Sequence, residues 1–200
     1  MVTTILITGC SRGLGLAMAT EFSKAGNFVF ATSRGNPTPA LQKLIDLSQD
    51  KVKHVKLDTT SRPSVEEAET QIASFLEGEG IDILINNAGV MNWMTDEIHT
   101  MDDLDSTFNS NVTSAHIVTS TFLPLLKKGT EKKVINMSTT VGSIERSQVY
   151  SFMPVPAYKV SKAALNMLTV QYAQSYAQEG FTFLAVSPGV SYVFLPFMTL

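Results

Sequence analysis

Short apolar runs alternate with amphipathic segments along most of the chain. The runs are rich in β-branched and aromatic residues, as strands are, and they lie at residues 5–7, 28–31, 52–57, 81–85, 134–137 and 181–186. Helical spacing of apolar positions begins with Leu14, Met18 and Phe22 and recurs at about residues 38–49, 63–78, 102–127 and 157–179. Apolar strands that alternate with helices predict a doubly wound α/β fold, a parallel sheet with helices on both faces.

The composition limits the number of domains, the binding partners and the cellular location that we expect for this chain. A length of 200 residues suits one domain, here 1–200, with a large core. The net charge is -3 without a basic stripe, which argues against nucleic-acid binding, and the apolar runs are too short to span a membrane. The chain start lacks a signal-peptide pattern, and Cys10 as the single cysteine excludes an internal disulfide. We expect a soluble cytoplasmic protein, and the scattered histidines predict no metal site.

A glycine-rich turn joins the first predicted strand to the first predicted helix. A phosphate at a helix N-terminus needs bare backbone amides and no intruding Cβ, and glycine supplies both. The spacing is G-x-x-x-G-x-G, which also suits a tight turn without a ligand, but the strand before it and the helix after it favour binding. The turn residues predicted to bind a dinucleotide are Gly9, Ser11, Arg12, Gly13, Leu14 and Gly15.

The end of the second strand indicates which dinucleotide is bound. An acidic residue at this place binds the ribose 2′-hydroxyl, whereas a basic one accommodates a 2′-phosphate. The strand ends at Arg34 with no acid beside it, and Arg12 in the glycine turn adds a second cation suited to phosphate. The sequence therefore predicts NADP rather than NAD. The alternative is that both arginines belong to the solvated surface.

Small and polar residues follow the other predicted strands. Ligands of a doubly wound sheet lie outside the carboxyl ends of its strands, so these residues predict one binding edge, although strand ends often run into turn residues in any case. Asp58 either accepts a hydrogen bond from an adenine amine or caps Thr59 and Thr60. The residues at the later strand ends are Asn87, Ala88, Gly89, Ser138, Thr139, Pro188 and Gly189.

Tyr158 and Lys162 are four residues apart, so a helix places them on one face. A free tyrosine has a pKa of about 10, too high for a base near neutral pH. A neighbouring ammonium lowers that pKa, so the pair suits proton transfer to or from a carbonyl or alcohol oxygen. The alternative is an ordinary pair on a helix surface.

Three more polar residues are candidates for the same site. Asn111 lies on an apolar helical stripe, where a buried amide needs partners, so it either repairs a helix irregularity or holds a water in a proton path. Ser138 and Thr139 end the fifth strand and can donate to a substrate oxygen. Adjacent residues in an extended segment point to opposite sides, so only one of the two is expected to face the site.

These motifs together resemble the short-chain dehydrogenase/reductase family, in particular its carbonyl-reductase-like, C-factor/sniffer-type members. The resemblance covers residues 2 to about 190. Its motifs are Thr8-Gly9-x-x-x-Gly13-x-Gly15, Asn86-Asn87-Ala88-Gly89, Asn111, Tyr158-x-x-x-Lys162 and Pro188-Gly189.

The resemblance implies a Rossmann fold and an oxidoreductase that moves a hydride between NADP(H) and a small carbonyl or alcohol substrate. It assigns the acid/base role to Tyr158. Lys162 would bind the nicotinamide ribose and lower the pKa of the tyrosine, and Asn111 would hold a water that links Lys162 to solvent. Family members often form homodimers through two long helices, here about 102–127 and 157–179.

Two departures from the family pattern concern activity. The family's catalytic serine is replaced by Thr139, which we expect to serve in its place, with Ser138 as the alternative. The apolar tail 190–200 lacks family character, so the last family strand is expected to be missing. Two rival hypotheses follow: a cofactor-binding remnant with a regulatory role, or an inert truncated product.

Overall fold

The computed structural model describes residues 2–94 and 96–189, and at its centre lies a sheet of six parallel strands. The strands are β1 (Thr4–Ile7), β2 (Phe28–Ser33), β3 (Val52–Lys56), β4 (Ile83–Asn86), β5 (Lys133–Met137) and β6 (Thr182–Val186). The α-helices are α1 (Gly13–Lys24), α2 (Pro39–Leu47), α3 (Arg62–Leu76), α4 (Leu104–Phe108), α5 (Ser114–Lys128) and α6 (Pro156–Ser175).

The strand order is β3-β2-β1-β4-β5-β6, which confirms the predicted doubly wound fold. The chain first winds outward from β1 to β3 and then crosses back to β4. Leu6 of β1 therefore has Phe30 of β2 on one side and Leu84 of β4 on the other. The point where the order reverses lies between β1 and β4, so the turns that follow these two strands are neighbours.

Helices cover both faces of the sheet, and this explains why the strand sequences are unbroken apolar runs. Along β1, Ile5 and Ile7 pack in the core that contains Ala19 of α1, whereas Leu6 packs in the core that contains Phe122 of α5. All five side chains are buried. Each large apolar side chain contributes about 1.5–3 kcal/mol on full burial, so the two cores hold the strand ends in a fixed register.

The prediction of one continuous helix at 102–127 is wrong. The structure divides it into α4, a π-helical turn at Asn109–Thr113, and α5. The helix predicted at 157–179 begins with Pro156 in its first turn, where proline is favoured, and ends earlier, at Ser175. A π-turn inserts one residue into the helical ladder and often marks a functional site.

Two further expectations concern the extent of the chain. The absence of a last family strand is an expectation about residues 190–200, which lie outside the described residues. In the part of the chain that the structure describes, no helix combines the length and the apolar character needed to cross a bilayer.

Candidate active site

The glycine turn is held tightly between its neighbours. The Thr8 amide donates to the Ile85 carbonyl at 3.0 Å, and the Cys10 amide donates to the Thr32 carbonyl at 2.7 Å. Gly9 and Gly13 have φ of 75° and 59°, a left-handed conformation that favours glycine. A Cβ added to Gly15 would lie 2.3 Å from the Gly9 carbonyl oxygen, so close packing requires glycine there.

The start of α1 fits the phosphates of a dinucleotide. The first turn of α1 carries no acidic residue, and the side chain of Arg12, the N-cap residue, makes no capping hydrogen bond. Arg12 is exposed, and Gly13 follows it without a side chain. Free amides and the positive end of the helix dipole at this place attract a phosphate anion.

The turn after β4 is bonded directly to the glycine turn. Asn87 Nδ2 donates to the carbonyl oxygens of Thr8 at 2.9 Å and Gly9 at 3.2 Å. In return, Thr8 Oγ1 accepts the backbone amides of Asn87 at 2.9 Å and Ala88 at 3.0 Å. The sequence patterns assign no role to Thr8, and its position directly before the first glycine of the turn is the signal that points to it. These bonds fix the two turns into one cradle at the switch point.

The ends of β2 and β3 carry the residues expected to contact adenosine. Ser33 is buried, and Arg34 directly after it is exposed. Asp58 Oδ1 accepts hydrogen bonds from Thr60 Oγ1 at 2.7 Å and from the Thr60 amide at 3.0 Å, and these two bonds lower the pKa of Asp58. Asp58 therefore caps the turn after β3, and its contact with an adenine amine stays a prediction.

Tyr158 and Lys162 lie one turn apart near the start of α6. Lys162 is only 6% exposed, and its Nζ donates to the Met137 carbonyl at 2.6 Å. Burial lowers the pKa of Lys162 to about 8, so the ammonium form predominates below that pH. Nζ lies 5.6 Å from the centroid of the Tyr158 ring.

The net shift of the tyrosine's pKa is opposite to the expected lowering, and the effect of Lys162 on the phenolate stays a prediction. Burial raises the pKa of Tyr158 above its ordinary value. The physical reason is that desolvation disfavours the phenolate, while the hydrogen bond of the Lys162 ammonium is made to the end of β5. The phenol is therefore held in its protonated form at neutral pH.

Asn111 lies in the π-turn and is 2% exposed. Its Nδ2 donates to the Val90 carbonyl at 2.9 Å and to Ser161 Oγ at 3.0 Å, and its Oδ1 accepts the Val90 amide at 2.8 Å. The side chain thus braces a helix irregularity, one of the two sequence-based alternatives. Its water-holding role stays a prediction. A Cβ on Gly89 would lie 2.8 Å from Asn111 Oδ1 and 3.8 Å from Lys162 Nζ, so these three residues converge.

The two hydroxyl residues after β5 differ in their surroundings. Ser138 is 6% exposed, and its Oγ donates to Asn166 Oδ1 of α6 at 2.6 Å. Thr139 is half-buried, and its Oγ1 accepts the Val141 amide at 3.2 Å, which leaves the hydroxyl hydrogen for another acceptor. The Ser138 hydroxyl hydrogen is therefore already used in a bond to α6. Thr139 is the better placed of the two to donate a hydrogen bond to a ligand.

The remaining predicted residues lie at the same edge. Pro188 and Gly189 follow β6 and are exposed, and Gly189 has φ of 80°. Cys10 in the glycine turn is fully buried, and burial raises the pKa of its thiol to about 12, so it is an unreactive filler. Among residues 2–94 and 96–189, no group of three or more potential ligand side chains could hold a metal ion.

A sheet of this order, with a glycine cradle at its switch point, defines the class of dinucleotide-binding α/β proteins. The family model described as short chain dehydrogenase matches residues 3–194. The chain therefore belongs to the short-chain dehydrogenase/reductase family.

Individual relatives agree with this assignment. The short-chain dehydrogenase/reductase AacuF of Aspergillus aculeatus is 34% identical over 195 residues, a match that covers 92% of this chain and 72% of the relative. A carbonyl reductase from chicken fatty liver, solved with NADPH bound, is 31% identical with a TM-score of 0.85, over 94% of this chain and 79% of that one. A Burkholderia multivorans protein described as a short-chain dehydrogenase/reductase, solved with NADP, is 30% identical with a TM-score of 0.80, over 94% and 80% of the two chains.

Proposed function

We propose that this oxidoreductase transfers a hydride between NADP(H) and a small carbonyl or alcohol substrate, with Tyr158 as the acid/base. The observation that carries the proposal is the placement of Tyr158 beside the buried ammonium of Lys162, on the helix that packs against the carboxyl end of β5. The chicken carbonyl reductase with bound NADPH supports the choice of cofactor and of reaction. Rates of NADPH consumption with a panel of aldehydes and ketones test the proposal. Binding of NADPH without any turnover would instead favour the cofactor-binding, regulatory alternative.

The residues of the binding edge fit this cofactor. The glycine turn, with Ser11 and Leu14, would hold the pyrophosphate, and Arg34 with Arg12 would hold the 2′-phosphate. Tyr158 and Lys162 would contact the nicotinamide ribose. The adenosine and nicotinamide ends would be flanked by Asp58, Asn87, Ala88, Gly89, Pro188 and Gly189. When bound, the reduced cofactor supplies the hydride, and the side chains of this chain handle the proton.

The protonation states of Tyr158 and Lys162 at neutral pH suit carbonyl reduction, in which Tyr158 donates a proton. Burial raises the pKa of Tyr158, so the phenol keeps its proton and can give it to a carbonyl oxygen that gains negative charge. Lys162, with a pKa of about 8, carries a positive charge at neutral pH and stabilises the phenolate left behind. Thr139 would donate a hydrogen bond to the same substrate oxygen.

Thr139→Ala is expected to lower kcat for carbonyl reduction by roughly 100-fold, because it removes a hydrogen-bond donor aimed at developing charge. Thr139→Ser keeps the hydroxyl and should retain most of the activity. Ser138→Ala serves as the matched control, because its hydroxyl bonds to Asn166. It should cost about 1 kcal/mol of stability and little activity. The reverse order of effects on kcat would assign the role to Ser138.

Arg34→Glu is expected to weaken NADPH binding by roughly 10- to 100-fold, the size of one or two charge-assisted hydrogen bonds. NADH binding should change little or improve, because a carboxylate can accept the ribose 2′-hydroxyl. Fluorescence titration with both nucleotides measures the ratio of their Kd values. Lys128→Glu makes the same charge change at the end of α5, next to the amino end of β5, and should leave the ratio unchanged. An unchanged ratio in Arg34→Glu would contradict the assignment of Arg34.

We extend the proposal to a cytoplasmic homodimer that pairs through α5 and α6. The supporting observation is a set of exposed apolar side chains on α6, at Val160, Met167 and Val170. Exposed apolar surface of this kind often marks an interface. Sedimentation of the purified chain measures the assembly state.

A further inference from the structure

Ser161 is fully buried between the two parts of the candidate site. Its Oγ donates to the Tyr158 carbonyl oxygen at 2.8 Å, within the first turns of α6. The same oxygen accepts Nδ2 of Asn111 at 3.0 Å. The hydroxyl therefore uses its hydrogen on one side and a lone pair on the other, and both partners belong to residues that the family motifs single out.

The bond between Asn111 and Ser161 adds a polar link between two segments that also pack through apolar side chains, since Val112 of the π-turn and Leu165 of α6 share one cluster. The other two hydrogen bonds of the Asn111 side chain go to Val90, in the segment after β4. Within the described residues, the Ser161 hydroxyl provides the one side-chain hydrogen bond between the π-turn and α6. It thus fixes the orientation of the Asn111 amide relative to the helix that carries Tyr158 and Lys162.

The Asn111 amide lies close to Gly89, where a side chain would not fit. A Cβ added to Gly89 would lie 2.8 Å from Asn111 Oδ1 and 3.8 Å from Lys162 Nζ, so the amide oxygen and the ammonium both lie beside the Gly89 backbone. Loss of the Ser161 hydroxyl would leave a buried N–H of Asn111 without an acceptor, which is costly, so the amide would turn towards another one. Any such turn moves Oδ1 relative to Gly89 and changes the surroundings of the Lys162 ammonium.

We propose that Ser161 is a positioning residue for proton transfer by Tyr158, acting through Asn111. The inference rests on the proposed function, because it concerns the same tyrosine and lysine. Ser161 itself touches neither substrate nor cofactor in this role. Its hydroxyl keeps the Asn111 amide at a fixed orientation beside Lys162.

Ser161→Ala is expected to lower kcat for carbonyl reduction by about 10- to 100-fold, the size of a coupling within one hydrogen-bonded network. The KM for NADPH should stay within about 2-fold, because the cradle at β1 and β4 is not touched. Ser161→Thr keeps the hydroxyl and should recover most of the lost kcat. Ser23→Ala is the matched control: Ser23 is also buried and donates to the carbonyl three residues earlier, at 2.9 Å, but it lies at the far end of α1.

A double-mutant cycle with Asn111→Ala tests whether Ser161 acts through Asn111. The loss caused by Asn111→Ala should be clearly smaller in the Ser161→Ala background than in the wild type. Additive losses, or a wild-type kcat in Ser161→Ala, would overturn the inference. If Ser161→Ala does not fold, Ser161→Cys replaces it, because cysteine preserves the volume and weakens the hydrogen bond. Ser161→Cys should show the same loss of kcat. A wild-type kcat in Ser161→Cys would also overturn the inference. A wild type that reduces no carbonyl contradicts the proposed function and, with it, the inference about Ser161. An active wild type with an unaffected kcat in Ser161→Ala contradicts the inference alone.

Discussion

Tyr158→Phe is expected to lower kcat for carbonyl reduction by about 10²–10⁴-fold, because the phenol is the general acid of the proposed reaction. The substitution keeps the ring and its packing at the start of α6 and removes only the hydroxyl. The affinity for NADPH should therefore change by less than about 3-fold, since loss of one hydrogen bond has a small net effect on binding. Steady-state kinetics and a fluorescence titration with NADPH measure the two quantities.

Tyr150→Phe is the control for this prediction. Tyr150 lies in the loop before α6, and its hydroxyl contacts Thr140 Oγ1 at 2.8 Å, so the chain carries a second phenol close to the end of β5. Removing that hydroxyl should leave kcat within a few-fold of the wild type. A full rate in Tyr158→Phe, or a larger loss in Tyr150→Phe, would show that the acid is a different group.

Gly15→Ala should weaken NADPH binding by about 10- to 100-fold through strain of about 1–3 kcal/mol. The added methyl would lie 2.3 Å from the Gly9 carbonyl oxygen and 2.7 Å from Asn87 Nδ2. Neither atom can move alone, because Asn87 Nδ2 donates to Thr8 and Gly9. The whole cradle would have to open, so the melting temperature should also fall by several degrees.

Gly35→Ala gives the matched comparison for Gly15→Ala. A Cβ at Gly35 would meet nothing within 4 Å, so the same methyl is added without a clash. We expect its affinity for NADPH and its melting temperature to stay close to those of the wild type. If Gly15→Ala behaved in the same way, the glycine cradle would not have the geometry described above.

The sheet and its binding edge were predictable because they depend on local patterns. Unbroken apolar runs such as Ile5–Ile7 mark strands covered on both faces, and alternation with helices requires them to be parallel. The role of Gly15 in the binding turn was also predictable from the glycine spacing. Only glycine fits at this position, because the backbone of Gly9 passes so closely. Patterns of this kind depend on residues that are close to one another in the sequence.

The parts that the sequence did not predict depend on contacts between distant residues. The bond from Asn111 to Ser161 joins positions 50 apart, and the bond from the Asn87 amide to Thr8 joins positions 79 apart. The π-turn at Asn109–Thr113 interrupts a stretch whose apolar spacing suits one long helix. The direction of the pKa shift of Tyr158 followed from its burial, which the spacing to Lys162 does not reveal.

The most direct test of the central claim is a calorimetric titration of the purified chain with NADPH and, separately, with NADH. The claim is that the edge formed by the glycine turn, Arg34 and the start of α6 binds a phosphorylated dinucleotide. We predict saturable heat for one NADPH per chain and a clearly weaker affinity for NADH. Absence of heat with both nucleotides would contradict the account.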